Sequence, residues 1–180
     1  MSTEKSKWVI DPSHSEISFK VKHLMITNVK GVFKEFSGTA FTTGENFNTS
    51  EIEVSMNPGS VDTGAPDRDG HLKSADFFEI EKYPAVSFRG TGLKKGDETG
   101  VYTLTGDLTI KGITKEVKLN VEFGGTMKDP WGNQKAGYTV TGRINRKDWG
   151  LNWNAALETG GVLVSDEVNI SCDVQLVKQA

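Results

Sequence analysis

Residues 101–123 read VYTLTGDLTIKGITKEVKLNVEF. Tyr102, Leu104, Gly106, Leu108 and Ile110 fall on one side of an extended chain, and Thr103, Thr105, Asp107 and Thr109 on the other. After Lys111 and Gly112 the alternation resumes, with Val117, Leu119, Val121 and Phe123 against Glu116, Lys118, Asn120 and Glu122. Successive side chains of a strand point to opposite faces, so period two with one apolar face marks a half-buried strand. Lys-Gly is a turn signal between two such runs, and the whole stretch predicts a long hairpin.

The same period recurs on both sides. Within Ser15 to Leu24, Ile17, Phe19, Val21 and His23 share a face opposite Glu16, Ser18, Lys20 and Lys22. Asn28 to Lys34 reads as a turn-like segment, after which Phe36, Gly38 and Ala40 continue the pattern. Ile52, Val54 and Met56 alternate with acids and serine, and Val86 and Phe88 mark a short strand after Pro84. Tyr138, Val140, Gly142 and Ile144 form a seventh strand, and Val168, Ile170, Cys172, Val174 and Leu176 an eighth. Between strands 3 and 4, Asp67 to Glu79 places Leu72, Ala75 and Phe78 at helical spacing, with Asp67 or Asp69 as the N-cap. Asn152 to Asp166 holds Trp153, Leu157, Val162 and Leu163 among glycines and reads as a helical turn or a lid-like loop.

Eight strands, each with one apolar face, need a shared core, as a sandwich or a closed barrel. Their length, and a helix able to plug one end, favour an all-β, eight-stranded antiparallel barrel with a short helix between strands 3 and 4. Such a barrel is either filled by side chains or holds one small ligand, as in lipocalins, and the pattern does not choose between them. No linker, repeat or low-complexity run divides residues 1–180, so one barrel domain with a core from about 8 to 177 is expected.

Composition narrows the function classes. The 180 residues are 36% hydrophobic and 25% charged with a net charge of −3, which suits a packed domain rather than a disordered chain. Lysines are interleaved with acids, so the basic stripe of a nucleic-acid binder is missing. The single cysteine, Cys172, rules out an intrachain disulfide, and its inward position reads as a small buried hydrophobe. No apolar run is long enough for a signal-peptide core or a stable membrane span, so a cytoplasmic location is expected, or a periplasmic one if a leader has been removed.

The three histidines, His14, His23 and His71, have no second ligand at metal-binding spacing. There is no phosphate loop and no nucleophile elbow, so neither a cofactor, a metal nor a catalytic residue is expected. The densest polar cluster is Asp67-Arg68-Asp69-Gly70-His71. Arg68 and His71 suit an anionic or polar head group, whereas the aspartates suit helix capping. His23 lies on an apolar face as a core histidine or a polar anchor, and the aromatics Phe19, Phe36, Phe77, Phe78, Phe88 and Trp153, with Leu72, are candidate walls of a cavity. Asp11 and Ser13 read as turn residues ahead of strand one.

Asp11-Pro12-Ser13-His14-Ser15 with Ile17, Phe19 and His23, then Val29 to Gly38, resembles the opening of the YceI-like family. Ser60 to Thr63, Arg68 to Phe78, Tyr83-Pro84 and Phe88 resemble its most diagnostic block, and Gly106 to Thr114 and Arg146 to Leu151 its later ones. The resemblance covers about Trp8 to Leu176. It implies a lipocalin-like barrel with an internal apolar channel for a polyisoprenoid, quinone or fatty-chain lipid, no enzymatic activity, and a chain able to form a homodimer. Two alternatives stand beside carriage of a lipid. One is a scaffold with a filled barrel that recruits a protein through loops such as Asp129 to Lys135, with Trp131. The other is a lipid-modifying enzyme using His71, Arg68 and Asp69.

Overall fold

The computed structural model describes residues 5–24, 26–43, 46–96, 98–154 and 164–179. Eleven strand segments and one helix follow in order: β1 (Lys5–Ile10), β2 (Glu16–His23), β3 (Thr27–Phe33), β4 (Phe36–Thr43), β5 (Asn46–Met56), β6 (Val61–Asp62), α1 (Pro66–Lys73), β7 (Val86–Lys95), β8 (Val101–Ile110), β9 (Ile113–Lys128), β10 (Gln134–Asn145) and β11 (Glu167–Lys178). The segments reduce to eight strands because three are bent. β1 and β2 both run along β11, joined at a 3-10 turn over Pro12–His14 where the Asp11 side chain caps the Ser13 amide. β3 and β4 pair with β2 and β1 respectively, and β5 and β6 pair with β4 and β3. β7 to β11 then add in sequence order, and the β1–β11 pairing closes the sheet. Closure pairs the body of the sheet on both sides, and among the described residues Thr27 to Gly31 of β3 pair with β2 alone.

The predicted hairpin stands, with Val101 opposite Glu122 through to Ile110 opposite Ile113. The positive φ values of the turn, 53° at Lys111 and 75° at Gly112, are those of a two-residue connection matched to strand twist. Three expectations need correction. Of the segment Asn28 to Lys34, all but Lys34 is strand, not turn: Val29, Gly31 and Phe33 lie opposite Val21, Phe19 and Ile17 of β2. The strand after Pro84 runs to Lys95, through a bulge between Gly90 and Gly92. A bulge adds one residue and flips the parity of the rest of the strand, so Leu93 regains the inner face that Val86 and Phe88 occupy. The helix ends at Lys73, and Ser74 to Phe78 form turns that return along it. Its N-cap is Ala65 with Pro66 in the first turn, a position that suits the fixed φ of proline, and neither Asp67 nor Asp69 is the cap. Of the segment expected to form a helical turn or lid, residues 155–163 with Leu157, Val162 and Leu163 lie outside the described residues.

Candidate ligand-binding site

The inward side chains line the barrel without filling it. They enclose a cavity of about 570 Å³ whose wall is almost wholly aliphatic and aromatic. Small-molecule sites span roughly 300–1,000 Å³. Inward glycines help to keep the lumen open. Phe19 lies across Gly31, Phe88 across Gly106 and Leu119 across Gly142, so close that a Cβ at any of the three would overlap the neighbouring side chain. Each large group therefore lies along the wall instead of projecting across the barrel. Phe19 and Phe88, both expected at the site, line the cavity in this way. Phe36 does not line it: it packs partly buried against two core clusters, one containing Trp8 and Ile10 and the other Ile17 and Phe33.

The cavity reaches the surface beside α1, where the exposed residues Asp67 and Arg68 line it. Thr63 anchors the start of this helix. Its backbone N–H (2.9 Å) and hydroxyl (2.5 Å) donate to Asp69 Oδ1, while Arg68 Nε and Nη2 donate to its hydroxyl and carbonyl, both at 2.7 Å. Arg68 thus keeps part of its five-donor fork for other partners. His71 Nε2 meets Asp76 Oδ2 at 2.8 Å, and the imidazole stands edge-on to Trp153 (4.6 Å between centroids) and Phe77 (5.1 Å). Leu72 and Phe78 also line this end, and Phe78 stands edge-on to Phe33. His23, at the end of β2, lines it too and forms a β-bridge with Val164. The proposed acid–base trio is not assembled, since Asp69 is bonded to Thr63 and His71 to Asp76. Among the described residues no group of three or more His, Cys, Asp or Glu is placed to hold a metal, and no helix is long and apolar enough to cross a membrane.

Comparison with known proteins places this geometry. The profile of the YceI-like domain matches residues 8–176. The chain belongs to the YceI-like domain family. It is 37% identical over 171 residues to the UPF0312 protein SA2479 of Staphylococcus aureus strain N315, covering 94% of this chain and 96% of that one. Its fold is similar to that of BcnA from Burkholderia cenocepacia, with a TM-score of 0.80 at 21% identity over 92% of this chain and 98% of the other. It is also similar to a polyisoprenoid binding domain from Saccharophagus degradans, with a TM-score of 0.71 at 17% identity over 96% and 98% of the two chains.

The sequence reading missed one residue that builds the mouth of this YceI-like barrel. Arg146 is 3% exposed. Its Nε donates to the Ser165 carbonyl (2.9 Å), and Nη1 to the carbonyls of Leu151 (2.5 Å) and Trp153 (2.9 Å). Nη2 reaches the Val164 carbonyl at 3.4 Å and lies 3.9 Å from Asp166. One guanidinium so ties two chain segments to the end of β10 and sets Trp153 against His71. Its signal was parity: position 146 continues the inward series Tyr138, Val140, Gly142, Ile144. Just beyond it, Trp149 is buried with Nε1 donating to the Leu108 carbonyl at 2.9 Å. Cys172 lines the cavity, and burial pushes its thiol up to about 11, so it is a protonated, unreactive wall residue at neutral pH.

Proposed function

We propose that this chain binds one long-chain amphiphile, of isoprenoid, quinone or fatty-chain type, and carries or stores it without chemical change. The chain of the ligand occupies the barrel and its polar head lies at the mouth beside α1. The observation that carries this reading is the open apolar cavity with Asp67, Arg68, His71, His23 and Arg146 gathered at one end. Each buried methylene contributes about 0.8 kcal/mol before ordering costs, so a tail of roughly ten carbons reaches useful affinity without special chemistry. The fold it shares with a domain described as polyisoprenoid-binding supports the same class of ligand. Arg68, with donors left over, suits an anionic or strongly polar head, and His71, His23 and Trp153 frame it. Phe19, Leu72, Phe77, Phe78 and Phe88 would contact the tail.

The test is solvent extraction of the purified protein followed by mass spectrometry. A stoichiometric species with an isoprenoid or acyl chain is expected. Empty extracts from protein grown in more than one host, together with no uptake of added long-chain lipids, would overturn the reading.

A further inference from the structure

The turn joining β2 to β3 carries two apolar residues into solvent, Leu24 at 39% and Ile26 at 80% exposure. It stands at the mouth. His23 at its base lines the cavity and bridges to Val164, and Val21 and Val29 on its inner face are cavity wall. The outer face of the same hairpin is basic: Lys20 lies directly opposite Lys30, and Lys22 is two pairs nearer the tip. Like charges directly opposite on a ladder repel. Lys30 is relieved by Glu16 at 2.9 Å, but among the described residues no acid lies within ion-pair distance of Lys20 or Lys22. In a chain of net charge −3 this is a local concentration of positive charge next to apolar side chains and an opening.

We propose that this hairpin docks the barrel onto an anionic lipid bilayer, with Leu24 and Ile26 entering the interface and Lys20, Lys22 and Lys30 meeting the head groups. The chemistry is that of interfacial anchors, in which apolar insertion and attraction to anionic lipid add together. It places the mouth against the bilayer, so that an amphiphile passes between membrane and cavity without crossing water. The inference rests on the ligand reading above and names where the ligand is exchanged. The second exposed apolar site, Trp131 with Met127, has beside it one lysine that no acid meets among the described residues, Lys128, against two such lysines on the hairpin. It lies at the other end of the barrel: the β8–β9 turn is tied to the α1 end through Lys111 Nζ and the Ala75 carbonyl (3.1 Å), and the β9–β10 turn is opposite. The nearby Lys135 lies between Asp11 (3.8 Å) and Asp129 (3.6 Å).

The test is co-sedimentation of the full chain with vesicles of phosphatidylglycerol and phosphatidylcholine in equal parts, and with vesicles of phosphatidylcholine alone. Uptake of a fluorescent fatty acid from solution is measured in parallel. Anionic vesicles should bind the wild type and release it at high salt. Ile26→Asp and Lys20→Glu should each weaken vesicle binding about tenfold, Trp131→Ala should not, and uptake from solution should be unchanged in all three. Binding unaffected by Ile26→Asp and Lys20→Glu would overturn docking by this hairpin. So would a wild type that ignores vesicles yet loses an oligomer on Ile26→Asp by light scattering, which would make the patch an interface between copies. Uptake without vesicle binding removes the docking and spares the cavity reading; hairpin-dependent vesicle binding without uptake does the reverse.

Discussion

Arg146 is a charge held mainly by carbonyl dipoles: Asp166 is 3.9 Å away, and burial works against the guanidinium while that carboxylate works for it. Removing the side chain orphans the carbonyls of Leu151, Trp153 and Ser165 at once. Arg146→Leu should therefore cost about 3 kcal/mol or more in urea unfolding, since buried unsatisfied groups cost about 1–3 kcal/mol each. Arg146→Lys should rescue little, because an ammonium cannot reproduce a planar fork that spans two segments. A second test concerns the bend between β1 and β2. Hydrogen bonds from Ser13 and His14 hold the Asp11 carboxyl down at about 2. An unfolded carboxylate titrates near ~3.9, so the folded state binds fewer protons in this window. The stabilisation is whole above about pH 4 and is lost as pH falls through about 2. Urea midpoints measured across that range should fall less steeply in Asp11→Asn than in the wild type.

Each strand carries its own inner and outer face, and the inward glycines decide how much of the lumen stays open. At Gly31 and Gly142 a Cβ meets mainly movable side chains, Phe19 and Leu119. Gly31→Ala and Gly142→Ala should fold and push those groups into the cavity, shortening the longest chain retained in a series of fatty acids. At Gly106 the Cβ also meets the Arg89 carbonyl at 2.7 Å. Backbone cannot swing aside as a side chain can, so Gly106→Ala should cost stability, about 1–3 kcal/mol on chemical unfolding. The same elements show what could be read in advance. Strand alternation was legible wherever parity ran unbroken, as in β8, in β11 and in β9 as far as Phe123, beyond which a bulge shifts the register. It read β7 short, where the bulge moves the apolar positions from Val86 and Phe88 to Leu93, and it missed β3, where a glycine occupies one of the three inward places. The helix was placed correctly and drawn too long, because Ala75 and Phe78 keep helical spacing from Leu72 although the chain has already turned back. At the site, aromatic and basic residues near α1 were legible as a cluster. Arg146 was not, since a charged residue beside Lys147 and Asp148 reads as surface until its parity with Ile144 is noticed.

Closing eight strands on themselves pairs the body of the sheet and leaves the interior as the variable. No pattern of apolar and polar residues distinguishes a full lumen from an open one, because both need apolar side chains facing inward. The difference lies in side-chain volume and in the glycines that let large groups lie flat. An open lumen also links stability to occupancy, because wall atoms facing empty space lack the dispersion contacts that a bound tail would supply. A ligand at a hundredfold its Kd adds about 2.7 kcal/mol, and at this chain length each kcal/mol moves Tm by about 2–4 °C. Saturating long-chain lipid should then raise Tm by roughly 5–10 °C over delipidated protein. Val140→Phe separates this linkage from ordinary packing. Val140 lines the cavity partly buried, with open space before it. In a filled barrel the added ring would be overpacked, costing about 1–3 kcal/mol and lowering Tm. In this barrel it enters the lumen, makes contacts that the empty cavity lacks and displaces part of any tail. The variant should therefore melt at or above the temperature of delipidated wild type and show a smaller ligand-induced rise. A lower melting temperature together with an undiminished rise would mean that the wall at Val140 is not the wall of the ligand's chamber.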